Sequence, residues 1–497
     1  METFQLLMSG FATVMQPSNL IFAIIGCFLG TLIGVLPGIG PSAGTAILIP
    51  VTFALSPTQA IIMLAAIYYG TMYGGTITSV LVNVPGEAAS AITCIEGYEM
   101  AKRGRAGSAL AVAAIGSFVG GTVATIGLVV VALPLARFAL RFGPPEFFCL
   151  MVVGLSLVTG LAGKSLVRAL MSAIVGLLIA MVGIDPVMGA PRFTFGQAEL
   201  LDGFGIVPVL MGVFGIGEIL LNTEAQRASV IETSFRSLIP TVREMRDSVG
   251  AIARGTGIGF FLGLIPGVGA IIPTFMSYIV ERKVSKNPEK FGTGVIQGVA
   301  GPETANNAYA NAALIPLFAM GIPGSPTIAI LMGAFMIHGL VPGPFLFQEH
   351  ASFVWAVIAS LYVGNVILLI MNLPMIPMWV AVLKIPYGIL FTLILGFCVV
   401  GAYSLNNSSF DVGVMLIFGI IGYLFKKLDI PLAPMTLTLI LGPLMERGLR
   451  QSLEMSGGDF TIFFTRPISA TLLAIAAIFV ITTSLGIAKA VKGDSQL

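Results

Sequence analysis

The chain has 497 residues, of which 56% are hydrophobic and only 10% charged, with a formal net charge of +2. Soluble domains carry about a quarter charged residues, so a water-soluble fold of this length is excluded, as is a nucleic-acid-binding surface. The two histidines and four scattered cysteines show no CxxC spacing, which argues against a metal centre or a disulfide framework.

The first residues, 1–15, lack a basic leader and read as a weakly amphipathic surface helix. Long apolar runs follow, and at roughly 20 residues per span the length allows on the order of 12 transmembrane helices. A β-barrel is excluded because the runs are continuous rather than alternating. The fold expected is therefore an all-α polytopic membrane protein. Segments 58–70 and 76–92 are too short to span alone and read as halves of broken or re-entrant helices. The run ending Gly163-Lys164-Ser165 has the end of a phosphate loop, but Val158 stands where that loop needs glycine, so a plain basic loop is expected.

The halves of the chain repeat each other. Gly30, Gly34, Pro37, Gly38 and Gly40 match Gly259, Gly263, Pro266, Gly267 and Gly269 position for position. Asn83-Val-Pro85-Gly86-Glu87 then matches Gly321-Ile-Pro323-Gly324-Ser325 in the same order. The polar stretch 222–254 divides them, giving an N-terminal repeat 1–221, a cytoplasmic connector 222–254, and a C-terminal repeat 255–497 with trailing helices. Lys102, Arg103 and Arg105 follow the second motif of repeat one, whereas Arg282, Lys283, Lys286 and Lys290 lie between the two motifs of repeat two. Cytoplasmic loops collect Lys and Arg, so corresponding loops face opposite sides and the repeats are inverted. Inverted repeats with broken helices at mid-membrane are the architecture of secondary transporters.

Each Pro-Gly pair interrupts a helix and frees backbone groups that need partners. Half-helix N-termini favour anions, and unwound carbonyls favour cations. The expected substrate-binding residues are accordingly Asn83, Pro85, Gly86, Ser90, Asn306, Asn307, Gly324, Ser325 and Thr327. The expected cation-binding residues are Gly38, Gly40, Ser42, Glu87, Gly267 and Gly269. Asn306 and Asn307 lie in the run from Gly301 to Asn311, which also carries Glu303; such polar groups in an apolar stretch are costly unless satisfied. Its counterpart in repeat one is taken as Tyr68–Thr78. No catalytic constellation is present, so the chain reads as no enzyme and needs no organic cofactor.

The segments GVLPGIGPSAG, NVPGEAAS, EGYEMAKRGRAG, PETANNA and GIPGSPT together resemble the large membrane subunit of the tripartite tricarboxylate transporters, the TctA family. The resemblance extends from about residue 15 to 490. It implies a multi-pass protein of the bacterial inner membrane, working with a small membrane subunit of about four helices and a periplasmic solute-binding protein. It also implies carboxylate uptake driven by an ion gradient, with sodium as the coupling ion and the proton as the other candidate. The fold implied is that of the wider ion-transporter superfamily, with re-entrant hairpins and an elevator movement. The rival reading is an anion channel built from the same broken helices. Whether the chain forms a homo-oligomer is left open.

Overall fold

The computed structural model describes the chain except residues 1, 37–38, 161–164, 186–187, 223–239, 384, 386 and 495–497. It is helical throughout, apart from a two-residue antiparallel pairing of Gly183–Ile184 with Pro191–Arg192.

The first helix, α1 (Glu2–Val14), packs along a later helix, with Gly10 on the backbone of Trp355. Next come α2 (Pro17–Val35) and α3 (Gly40–Leu48), which form a hairpin, then α4 (Pro57–Leu81). Glycines at every fourth position fix how α2 lies on α4: a Cβ on Gly26 would sit 2.5 Å from the carbonyl of Met63, and one on Gly30 2.5 Å from that of Ile67. Small residues let the backbones close up where apolar solvent supplies no hydrophobic drive. The contacts advance in step, so α2 runs parallel to α4, and α3 returns toward the side from which α2 entered.

The segments 58–70 and 76–92, expected as half-helices, are not divided as predicted. The chain is continuous helix from Pro57 to Leu81, and the break falls at 82–87. The glycines between the segments stay helical because Gly70 and Gly74 close on the backbone of α2. After the break come α5 (Ala91–Lys102), the 34-residue α6 (Ala106–Ala139), α7 (Pro144–Gly160) and α8 (Leu166–Ala180). The first half ends in α9 (Ile206–Leu210), which continues through a π-helical stretch, Met211–Ile216, into α10 (Gly217–Asn222).

Most of the polar stretch 222–254 lies outside the described residues. Its last part belongs to α11 (Val242–Gly263), which runs without interruption across residue 254 from a reciprocal cap between Thr241 and Glu244. A second hairpin follows, of α11 and α12 (Ile271–Val284), against α13 (Gln297–Ala312) and α14 (Leu314–Met320). Gly255, Gly259 and Gly263 close on Gly301, Ala305 and Tyr309, again in parallel. By these contacts Gly301 is the equivalent of Met63, so Asn306 stands where Tyr68 does; the register differs by five residues from the pairing expected with Tyr68–Thr78. The hairpin's outer ends are tied by Arg254, whose Nε and Nη2 donate to Glu281 at 2.8 and 2.6 Å.

The remaining helices are α15 (Pro326–Ile337), α16 (Leu346–Glu349), α17 (Ala351–Met371), α18 (Ile376–Leu383), α19 (Tyr387–Asn406), α20 (Ser409–Lys427), α21 (Leu432–Met455), α22 (Ile462–Thr465) and α23 (Pro467–Asp494). Among the described residues, five helices, namely α2, α4, α6, α17 and α20, are long and apolar enough to cross a membrane singly. Seven other helices contribute apolar stretches of 10–17 described residues.

Two faces stand apart by the length of α4, roughly 37 Å for its 25 residues. On one face, Glu96 of α5 accepts hydrogen bonds from the backbone N–H groups of Gly292, Gly294 and Val295 at 2.5, 2.7 and 2.7 Å, and from the Tyr278 hydroxyl at 2.9 Å. This contact brings the basic loops of both halves together, and Arg105 Nη2 adds a 2.8 Å bond to Glu244 there. On the other face, Thr52 Oγ1 meets His338 Nε2 at 3.3 Å, joining the two loops that lack Lys and Arg. The α2–α3 hairpin thus enters from the unbasic face and the α11–α12 hairpin from the basic one.

Candidate functional site

The tips of the two hairpins and both Pro-Gly breaks border one cavity of about 910 Å³. The first turns of α3, α12 and α15 line it, as do Glu87–Ala89 immediately ahead of α5. All four helices point their N-termini toward this space, so their unpaired N–H groups and dipole ends converge on it. Gly40 and Gly269, at φ +64° and +71°, take backbone conformations open to glycine where the hairpins turn.

The two halves interlock around the cavity. Ser42 Oγ and Thr327 Oγ1 lie 2.8 Å apart across it. Glu87, buried in the first break, accepts a 2.5 Å hydrogen bond from Asn306 Nδ2 on α13. Ser325 caps α15, accepting from the N–H of Ile328 at 3.3 Å. The second hairpin is pinned to the second break, where Gly267 N–H and the Tyr309 hydroxyl both donate to the Gly324 carbonyl at 3.0 Å. Two buried oxygens here, Asn306 Oδ1 and the Tyr68 hydroxyl, have no hydrogen-bond partner. Neither residue lines the cavity itself, so these two atoms sit behind its wall.

Of the residues expected from sequence, Gly40, Ser42, Pro85, Gly86, Glu87, Gly269, Ser325 and Thr327 all line the cavity. Asn306 reaches its edge through Glu87. Gly267 and Gly324 hold the tip and the break together through their backbones instead of lining the space. Gly38 lies outside the described residues. Asn83 is exposed, away from the cavity, with φ +57°, a left-handed turn conformation that asparagine tolerates well. Ser90 spends its hydroxyl locally, donating to the Glu87 carbonyl at 2.9 Å. Asn307 points the other way, its Nδ2 donating to Ser117 Oγ on α6 at 2.7 Å.

Sequence reasoning did not select Tyr68, Tyr309 or the polar rim of the cavity. That rim comprises Asp429 and the ion pair of Glu218 with Lys426. The signal for the rim was faint, a Lys-Lys-Leu-Asp run at a helix end that reads as an ordinary cap. Among the described residues no group of three or more His, Cys, Asp or Glu side chains is placed to hold a metal ion.

The chain is 45% identical over 477 residues to a protein of Agrobacterium vitis described as "Uncharacterized 52.8 kDa protein in TAR-I ttuC' 3'region", covering 96% of this chain and 95% of that one. A second Agrobacterium vitis protein, "Uncharacterized protein in TAR-II ttuC' 3'region", is 45% identical over 227 residues, covering 46% of this chain and 94% of that one. No solved structure matches the chain. The family model described as "Tripartite tricarboxylate transporter TctA family" matches residues 20–437, and with a full-length relative at that identity the chain belongs to the TctA family of membrane transporters.

Proposed function

We propose that the chain is the large membrane subunit of a binding-protein-dependent tripartite system and that it takes up a di- or tricarboxylate by secondary transport. The observation that carries this reading is the convergence of four helix N-termini on one cavity. Each N-terminus presents about half an elementary positive charge, so together they offer on the order of two charges to an anion, while the lining lysine, Lys426, is paired with Glu218. Ser42, Ser325 and Thr327 add neutral donors that can release the substrate again. Glu87 supplies the negative charge for a coupling cation, with carbonyls around Gly40 and Gly269 as further ligands; sodium is the expected ion and the proton its competitor.

The reading treats residues 1–221 and 255–497 as inverted repeats. It is supported by the shared glycine spacing of α2 and α11, their parallel packing on α4 and α13, and their entry from opposite faces. The basic face then lies in the cytoplasm of a bacterial inner membrane. Movement of the cavity between the faces as a rigid unit would give alternating access. A small membrane subunit and a periplasmic binding protein complete the assembly, and the binding protein sets much of the carboxylate selectivity.

The test is uptake of a panel of radiolabelled di- and tricarboxylates by cells expressing the full system. Asn306→Ala and Ser325→Ala should each weaken saturable, gradient-dependent uptake while leaving membrane expression intact. Unchanged uptake by both variants sinks the site, and a flux that neither saturates nor needs an ion gradient replaces the transporter with a channel.

A further inference from the structure

A second carboxylate is buried away from the cavity. Glu303 on α13 is 1% exposed and does not line the substrate space. Its Oε2 accepts from Thr76 Oγ1 of α4 at 2.5 Å and its Oε1 from Thr93 Oγ1 of α5. Among the described residues no lysine or arginine pairs with it, and the ionisable groups that face it are Glu87, beyond Asn306, and Cys94 on α5. A carboxylate in this setting lacks the counter-charge that burial demands.

An independent feature lies beside it. A void of about 10 Å³ between α4, α6 and α17 is bordered by Tyr73, Thr76, Ser117 and Asn372, the size at which a single water fits. Thr76 is the residue bonded to the Glu303 carboxylate, and Ser117 Oγ donates to the Glu303 backbone carbonyl at 3.2 Å. Asn372, 4% exposed, donates through Nδ2 to the Leu368 carbonyl at 3.0 Å, while its Oδ1 has no partner. A water placed in the void would satisfy that oxygen and would have the Thr76 hydroxyl as its next neighbour.

We propose that Glu303 is a proton-uptake site separate from the cavity, reached through one water that donates to Asn372 Oδ1 and Thr76 Oγ1 beside Ser117. The void does not touch the Glu303 carboxylate, and both carboxylate oxygens are already occupied by hydroxyls. A sodium ion needs several oxygens in direct contact, whereas a proton needs only a hydrogen-bonded chain. The water passes a proton to Thr76 Oγ1 as that hydroxyl passes its own to Glu303 Oε2. The water is then reprotonated from hydronium, so the net change is one carboxylate plus one hydronium giving one carboxylic acid plus one water. Coupled to transport this site carries one proton per cycle, which rests on the transport reading above; proton occupancy itself does not.

The experiment reads the proton directly and needs no substrate. Infrared difference spectra of the purified full chain in lipid nanodiscs, in H₂O and D₂O, report the carbonyl stretch of a protonated carboxyl group. The expected result is a band at neutral pH that is lost in Glu303→Gln, persists in Glu87→Gln, and exchanges with deuterium several-fold more slowly in Asn372→Leu. If Glu303→Gln fails to fold, Thr76→Val should shift the frequency of the band. A band untouched by Glu303→Gln, a band removed by Glu87→Gln alone, or no frequency change in Thr76→Val overturns the proposal. Disappearance of the band when sodium chloride replaces choline chloride at constant pH overturns it in favour of sodium. Loss of uptake in the Asn306 and Ser325 variants bears on the cavity and leaves this result unaffected.

Discussion

Glu96 is the clearest single point at which the two halves of the chain are joined, and Glu96→Ala tests whether that joint holds the fold. The substitution removes the acceptor of three backbone N–H groups and one tyrosine hydroxyl. Gly292 is exposed and recovers a water, but Gly294 and Tyr278 are buried and Val295 is partly so. With each of these three orphaned donors costing about 1–3 kcal/mol, the expected loss is roughly 3–9 kcal/mol. Glu96→Gln keeps one carbonyl oxygen and turns the other position into a donor facing donors, so it should fall between the two. Glu99→Ala is the control: its pair with Lys102 is an exposed i,i+3 contact at 2.5 Å, worth about 0–0.5 kcal/mol. The assay is the fraction of purified chain remaining monodisperse after heating in detergent. A Glu96→Ala midpoint equal to that of wild type, or to that of the Glu99 control, refutes the reasoning.

Three further outcomes follow from the same geometry. Ser42→Cys with Thr327→Cys should form a disulfide under mild oxidant, seen as a shift in non-reducing gel mobility after cleavage between the halves; failure to cross-link means the two hairpin regions do not meet. Gly259→Val places bulk 2.8 Å from the Ala308 side chain and should cost at least roughly 1–3 kcal/mol, whereas Gly257→Val, with open space around it, should be close to neutral; equal folded yields for the two contradict the parallel α11–α13 contact. Lys102→Cys should react with a membrane-impermeant thiol reagent only from the cytoplasmic side, and the 64%-exposed Val341→Cys only from outside; labelling of both from one side removes the inverted topology.

The helix breaks were legible in sequence because proline and glycine act locally: Pro85-Gly86 and Pro323-Gly324 interrupt helices wherever they sit. The cost of the asparagines in the 301–311 run was equally plain, since an apolar stretch must find them partners. Which partners was not legible. Asn306 meets Glu87 across 219 residues and Ser42 meets Thr327 across 285, and no local rule encodes either pair. The gap between segments 58–70 and 76–92 misled because Thr71-Met-Tyr-Gly-Gly looks like a break, while in the fold Gly70 and Gly74 are contact surfaces that let α2 approach. Glu96 sat in a charged segment that reads as a solvated loop, yet its ligands are backbone groups of the other half, which carry no side-chain signature. Asn83 was chosen for its hydrogen-bonding amide, but its backbone conformation is what the turn uses.

The central claim is that a carboxylate sits among the four helix N-termini. The measurement that tests it most directly is a cryo-electron-microscopy map of the full assembly with a transported di- or tricarboxylate. The account predicts added density in the cavity, with its carboxylate groups at the first turns of α3, α12 and α15 and beside Ser325 and Thr327. Density at any other place in the chain, with this cavity unchanged from a substrate-free map, contradicts it.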